Sequence, residues 1–232
     1  MNDHTAKAYD AELEGITTKI AQMGGLAEAM LADAIAALTA FDAELAQRTI
    51  ETDPRVDLLQ REVEEQVVLT IARRQPMAID LRVLVGAIRI AGDLERICDL
   101  SKGIAKRVIR MSADPRLPRA VVGLKHMGHA VAKQLKDVLD AFAVRDVKLA
   151  DNVWSADAQI DAQEDLVFRD LLTFMMEDPR DISFCAHLLF CSKNIERIGD
   201  HTTNIAETIH YIATGESLPM DRPRGEYVDH AA

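Results

Sequence analysis

The stretch Leu94-Glu95-Arg96-Ile97-Cys98-Asp99, running on to Ile104-Ala105, is answered by Ile195-Glu196-Arg197-Ile198-Gly199-Asp200, running on to Ile205-Ala206. Glu95 and Glu196 stand 101 residues apart, as do Asp99 and Asp200. Between 94–108 and 195–209, six of fifteen positions are identical, so the chain reads as a duplication with the same acids at the same point in each half.

The surroundings of the repeat are helical. Gly (11) and Pro (7) are scarce and aromatics make up 4% of the 232 residues, a composition that favours helix over strand. Ile16, Ile20, Met23, Ala27, Met30, Ala34 and Leu38 follow steps of three and four, the stripe of an amphipathic helix. A break is expected near Phe41-Asp42, then a short helical piece over 43–51. Asp53-Pro54 reads as an N-cap with proline at the first helical position, opening a helix to Arg74 that Gln75-Pro76 ends. A third helix is expected over about 79–111, with Leu84, Ile88, Ile97, Ile104 and Val108 facing inward.

The breaker cluster Asp114-Pro115-Arg116-Leu117-Pro118 places a boundary mid-chain. Beyond it the plan repeats, with helices at about 119–143, 146–176 and 180–213 and a turn at Asp178-Pro179. The predicted fold is all-α: two tandem antiparallel three-helix bundles, over 1–113 and 114–213, then a loose tail over 214–232. A single six-helix array is the alternative.

Composition excludes several functions. A net charge of −11 argues against a nucleic-acid surface and suits cations or basic protein patches. Cys98, Cys185 and Cys191 form no CxxC pair and no even set, so a reduced cytoplasmic setting is expected and the thiols should pack as small apolar groups. The N-terminus lacks a signal-peptide pattern, and the longest uncharged apolar stretch, Ile182 to Ser192, is too short to span a bilayer. No membrane insertion is expected.

Residues four apart share a helix face, so Glu95 with Asp99, and Glu196 with Asp200, each set two carboxylates side by side. A second pair precedes each: Asp53 with Asp57, and Asp157 with Asp161, 104 residues apart. Asp57 lies nineteen residues before Pro76 and Glu95 nineteen after it. In an antiparallel hairpin the two therefore stand at one height; Asp161 and Glu196 do the same about Pro179. Each bundle can gather four carboxylates, an oxygen-rich site for a divalent or iron ion (Fe, Mn, Mg or Zn). The plainer reading is local ion pairing, since Arg96 and Lys102 reach Asp99, Arg197 reaches Asp200 and Arg61 reaches Asp57. Recurrence in both halves favours metal.

Ala78-Ile79-Asp80-Leu81-Arg82 with Leu94-Glu95-Arg96-Ile97-Cys98-Asp99, and Asn194-Ile195-Glu196-Arg197-Ile198-Gly199-Asp200-His201 with Asn204-Ile205-Ala206-Glu207, resemble the PhoU family of phosphate-signalling regulators. So do Tyr9-Asp10-Ala11-Glu12-Leu13 and the segment from Asp42 to Asp57; the resemblance spans roughly 5–213. It implies two three-helix bundles with multinuclear metal clusters on Asp53, Asp57, Glu95, Asp99, Asp157, Asp161, Glu196 and Asp200. It also implies a non-enzymatic, homodimeric, cytoplasmic negative regulator of phosphate uptake and phosphate-starvation signalling. Its implied partners are the phosphate ABC transporter (ATPase subunit) and a sensor histidine kinase, which would hold it peripherally at the inner membrane. Cys98, where the second copy has Gly199, and Pro54 depart from the pattern in the first half.

Rival readings are a di-iron or ferritin-like metalloprotein and a purely structural helical adaptor. Glu207-Thr208-Ile209-His210 has Glu-x-x-His spacing, but no second copy exists. His126 and His129 lack a third ligand nearby. His201 and Asn204 lie beside the second motif as candidate secondary contacts, and Trp154 and Met175-Met176 are expected in the core.

Overall fold

The computed structural model describes the backbone of residues 2–113 and 118–219, and the side chains of 8–113, 119–156 and 158–219. Among the described residues, seven α-helices follow in order: α1 (Asn2–Ala40), α2 (Ala43–Arg74), α3 (Ile79–Met111), α4 (Val121–Val144), α5 (Val147–Ser155), α6 (Asp157–Glu177) and α7 (Ile182–Thr214). No strand occurs among the described residues. Helices α1, α2 and α3 form one antiparallel bundle; α4, the α5–α6 pair and α7 form the other. The breaker cluster 114–117 and the tail beyond 219 lie outside the described residues.

The duplication reaches the turns. Phe41 takes a left-handed conformation (φ 53°) and Asp42 then caps α2, its Oδ1 accepting from the backbone N–H of Glu44 and Leu45 at 2.9 and 3.0 Å. Arg145 (φ 55°) and Asp146 repeat this before α5, with Lys148 and Leu149 as donors at 2.9 and 3.1 Å. The side-chain cap satisfies orphan N–H groups of a first turn.

Two expectations are overturned in the middle helices. Asp53 is not an N-cap: α2 starts at Asp42 and runs unbroken through Pro54. A proline there removes a hydrogen bond to the carbonyl four residues back and crowds it. The helix persists because Ala46, Thr49, Asp53 and Val56, on both sides of the proline, are buried against the bundle. The second-half counterpart, expected as one helix over 146–176, does break, at Ala156 (φ −86°, ψ −4°) between α5 and α6. The proline-bearing copy is continuous and the proline-free copy is not.

The stripe on α1 is buried throughout, from Ile16 to Leu38, as are Leu84, Ile97, Ile104 and Val108 of α3; Ile88 is half-buried. Ala8–Ala40 of α1 is long and apolar enough to cross a bilayer, yet its apolar face here is the bundle core. Met176, expected inside, is exposed, while Trp154 is buried.

One hydrophobic core runs through both bundles. Helix α3 packs antiparallel on α7, and α1 antiparallel on α4. The crossings follow the repeat. A methyl group added to Gly24 of α1 would stand 2.7 Å from Leu139 Cδ2 of α4, and one added to Gly128 of α4 would stand 2.5 Å from Ile35 Cδ1 of α1. Gly24 and Gly128 are 104 residues apart, as are Ile35 and Leu139, so the bundles meet about a pseudo-twofold axis. At the α3–α7 seam Asp93 takes Asn204 Nδ2 at 3.3 Å, and Asn194 Nδ2 donates to the Leu100 carbonyl at 3.4 Å. The acidic pairs are left on the outer flanks, between α2 and α3 and between α6 and α7.

Candidate metal centre

In the first bundle, Asp53 projects from the buried face of α2 (7% exposed) toward α3. Lys102 Nζ lies 2.6 Å from Asp53 Oδ2 and 2.6 Å from Asp99 Oδ1, joining the two helices through one ammonium. Burial alone would lower the Lys102 pKa, but hydrogen bonds to Asp53 and Asp99 and their charges raise it. Burial likewise pushes Asp99 up; the Lys102 hydrogen bond and charge, the hydrogen bond with Glu95 and the charge of Arg96 pull it below its ordinary value.

Glu95 moves the other way. Burial raises its pKa, and the charge of Asp99, a hydrogen bond with that carboxylate and the charge of Asp57 add to the rise against Arg96. Asp57, across the hairpin, is thus near enough for its charge to act on Glu95. Arg96 lies 3.4 Å from Glu95 and 3.5 Å from Asp99, but its side chain is 61% exposed, so water screens the pairing.

Among the described side chains of the second bundle, the lysine beside the acids is Lys193. Lys193 Nζ reaches Glu196 Oε1 at 2.6 Å from the same helix, with its side chain 56% exposed. Glu196 Oε2 is buried with no hydrogen-bond partner. Glu164 of α6 faces it: burial raises the Glu164 pKa, Lys193 opposes, and the charges of Glu196, Asp165 and Asp161 raise it further. Asp161 is exposed and Asp200 half-buried; the side chain of Asp157 lies outside the described residues.

The floors of the clusters differ too. In the first, Cys98 is fully buried, its thiol pushed far up by burial and by the charges of Asp53, Glu95, Asp99 and Asp57. In the second, Gly199 leaves a small hollow bounded by Ile160, Gln134 Oε1 and Val131 at 3.6–3.7 Å, and that amide oxygen is buried without a partner.

Two functional contacts escape the sequence. Lys102 is visibly one turn from Asp99, but nothing local shows that it also seats Asp53. Glu164 lies one turn beyond Asp161 on the same face, a spacing that could have added it to the second group. His201 and Asn204 are turned away from the second motif: His201 Nδ1 lies 2.9 Å from Asp93 Oδ1 at the seam. Glu207 accepts from the Trp154 indole N–H at 3.2 Å, and His210 Nδ1 lies 2.8 Å from Asp151 Oδ1, so the Glu-x-x-His pair clips α7 to α5.

As the side chains stand, no three Asp, Glu, His or Cys groups among the described residues converge tightly enough to hold one ion. The donor chemistry nevertheless fits a hard cation best in the second bundle. A buried carboxylate oxygen without a partner, beside a carboxyl whose pKa burial and neighbouring negative charges raise, is a deficit of positive charge. In the first bundle the same donors already surround an ammonium.

A PhoU domain model matches residues 20–108 and 124–209, one copy on each bundle. The chain belongs to the PhoU family. A phosphate-specific transport system accessory protein PhoU homolog of Rhizobium meliloti (strain 1021) is 51% identical over 224 residues, covering 96% of this chain and 94% of that protein. The crystal structure of PhoU from Pseudomonas aeruginosa superposes with a TM-score of 0.87 at 39% identity, over 90% of this chain and all of that one. PhoU from Streptococcus pneumoniae gives 0.83 at 27% identity over 91% and 100% of the two chains. The family's two-copy organisation is therefore the duplication read from the acidic motifs.

Proposed function

We propose that this protein is a non-enzymatic negative regulator of phosphate uptake and of phosphate-starvation signalling, acting on the phosphate ABC transporter through its ATPase subunit and on a sensor histidine kinase. The observation that carries this reading is a match over nearly the whole chain to proteins named as accessories of the phosphate-specific transport system. A homodimer in the cytoplasm, drawn to the membrane by its partners, is the working form.

The chemistry of the flanks supports a regulator that docks by charge. The chain carries −11, and its acidic motifs lie between α2 and α3 and between α6 and α7, away from the α3–α7 seam. Such surfaces set partner choice and association rate with basic patches more than raw affinity. The ligands proposed for metal are Glu196, Asp200, Asp157 and Asp161 in the second bundle; of the matching first-bundle acids Glu95, Asp99, Asp53 and Asp57, two already hold the Lys102 ammonium. An ion held there would neutralise and order the acidic faces. Glu196 offers the inner oxygen, and a cation there would offset the charges that raise the Glu164 pKa.

Deletion of the gene should switch on phosphate-starvation genes in phosphate-rich medium, and the intact chain should silence them again. A deletion strain with unchanged expression would overturn the regulatory reading. Complementation with the Glu196→Gln, Asp200→Asn double variant then asks whether the second acidic face is needed.

A further inference from the structure

We propose that Lys102 is the resident cation of the first acidic cluster, and that its ammonium keeps metal out of that cluster while the second stays open to it. The inference rests on the metal reading proposed above and divides the two clusters by role.

The contacts carry it. An ammonium 2.6 Å from both Asp53 and Asp99 occupies the space between α2 and α3 that an ion bridging those carboxylates would need. Its side chain is 21% exposed and that of Asp53 10%, so the pair is shielded from the water that weakens surface ion pairs. The lysine is tethered to the site, so it competes at a high effective concentration whatever the metal supply. A divalent ion entering there would have to expel a charged, hydrogen-bonded group and leave that group without its acceptors.

The second cluster has no such occupant among its described residues. The repeat places Thr203 where Lys102 stands, and Gly92 where Lys193 stands, so each half lacks the other's lysine. Lys193 is no substitute. It is mostly exposed, holds one oxygen of Glu196 from the same helix, and leaves the other oxygen buried and unpartnered. Glu164 and Asp200 also draw its charge, but at 56% exposure it is screened by water far more than Lys102 at 21%.

The test is metal content of the full chain after saturation with manganese(II) and removal of the excess, read by inductively coupled plasma mass spectrometry. The wild type should lose its manganese in Glu196→Gln, Asp200→Asn and keep it in Glu95→Gln, Asp99→Asn. Lys102→Met should carry about twice the wild-type load, and adding Glu95→Gln and Asp99→Asn should remove the increment. Lys102→Gln, which keeps a donor for Asp53 without the charge, serves if the methionine variant does not fold. Circular dichroism checks helicity in every case.

Manganese lost only with the second-half acids, but no gain in either Lys102 variant, would overturn the role of Lys102 and spare the metal reading. A wild-type load that the first-half variant halves would do the same, since the ammonium would then exclude nothing. Absence of manganese from every variant would sink both. As an independent readout, the melting temperature of Lys102→Met should rise further on adding manganese than that of the wild type. An equal rise would count against the proposal.

Discussion

In the first bundle the acids close around an ammonium supplied by the chain; in the second they face one another with a lysine only at the rim. The motif residues match one for one, and so does their burial: Glu95 and Glu196 are half-buried, Ile97 and Ile198 are buried, and Asp99 and Asp200 are half-buried. The differences that bear on charge and floor are Lys102 against Thr203, Gly92 against Lys193, and Cys98 against Gly199. A duplicated ligand motif is therefore not a duplicated site. The electrostatic state of clustered carboxylates is set by the neighbour that balances them, and that neighbour diverged.

The largest expected difference lies in the two lysines. Lys102→Met strands the buried Asp53 carboxylate opposite a methyl thioether and should cost about 3 kcal/mol in metal-free buffer, since breaking a buried pair leaves an uncompensated charge. Lys193→Met removes a mostly exposed pair and should cost no more than about 0.5 kcal/mol. Urea denaturation followed by circular dichroism measures both. Equal losses would show that the Lys102 bridge is no better shielded than a surface pair.

The bundle crossings offer a second contrast. Gly128→Ala drives a methyl into Ile35 at 2.5, 2.8 and 3.1 Å, and Ile35 is a buried, β-branched side chain with nowhere to turn. Gly24→Ala meets chiefly the two terminal methyls of Leu139, which is only half-buried. We expect about 2 kcal/mol of destabilisation for Gly128→Ala and under about 1 kcal/mol for Gly24→Ala, measured as denaturation midpoints. Reversed magnitudes would mean that the two crossings relax in ways their pseudo-symmetry does not reveal.

The sequence carried the elements that local chemistry fixes. The α1 stripe, the turn at Phe41-Asp42 and the paired acids were legible because periodicity, an Asx cap and i, i+4 spacing are properties of the chain alone. The middle helices were not. Pro54 reads as a helix start, and only the buried contacts of Ala46, Thr49 and Val56 make the helix run through it; Ala156 carries no breaker signal, yet the helix breaks there. In both places tertiary packing overrides propensity. The second seat of Lys102 was hidden for a related reason. Its partner Asp53 is 49 residues away, and their meeting depends on the register of α2 against α3. The fusion of two bundles through α3 and α7 also follows from side chains meeting across the repeat, which no single stretch displays.

Acid–base behaviour should separate the clusters as well. Glu95 and Glu164 have folded pKa values above the ordinary glutamate value of 4.5. Such groups stabilise the fold while protonated, and that contribution is lost as pH rises through their raised values. Asp99 acts oppositely: its contribution is present above the ordinary aspartate value of 3.8 and lost as pH falls through its lowered one. Metal-free protein should thus lose stability as pH rises above the ordinary glutamate value. Glu164→Gln should flatten that decline and make it insensitive to added manganese, whereas Glu95→Gln should flatten it and leave the manganese response intact. Thermal melts across that range decide the matter; a decline that neither variant alters would place its origin outside the acidic clusters.

The smallest expected effect concerns the floor of the second cluster. A methyl added to Gly199 finds Ile160, Gln134 and Val131 at ordinary contact distance, 3.6–3.7 Å, and the residue sits well inside α7. Replacing a helix-interior glycine by alanine lowers backbone entropy in the unfolded chain and should stabilise by up to about 1 kcal/mol where space allows. The buried Gln134 oxygen has no protein donor in that hollow, so part of the gain is offset if a water there is displaced. Gly199→Ala should therefore stabilise by about 0.5 kcal/mol in urea. Gly199→Cys, which copies the first-half floor, tests the same space with a larger atom. A gain for alanine and a loss for cysteine would show that the hollow admits one methyl and no more. A loss for both would mean that the second cluster keeps its glycine because the Gln134 oxygen needs the space for a water.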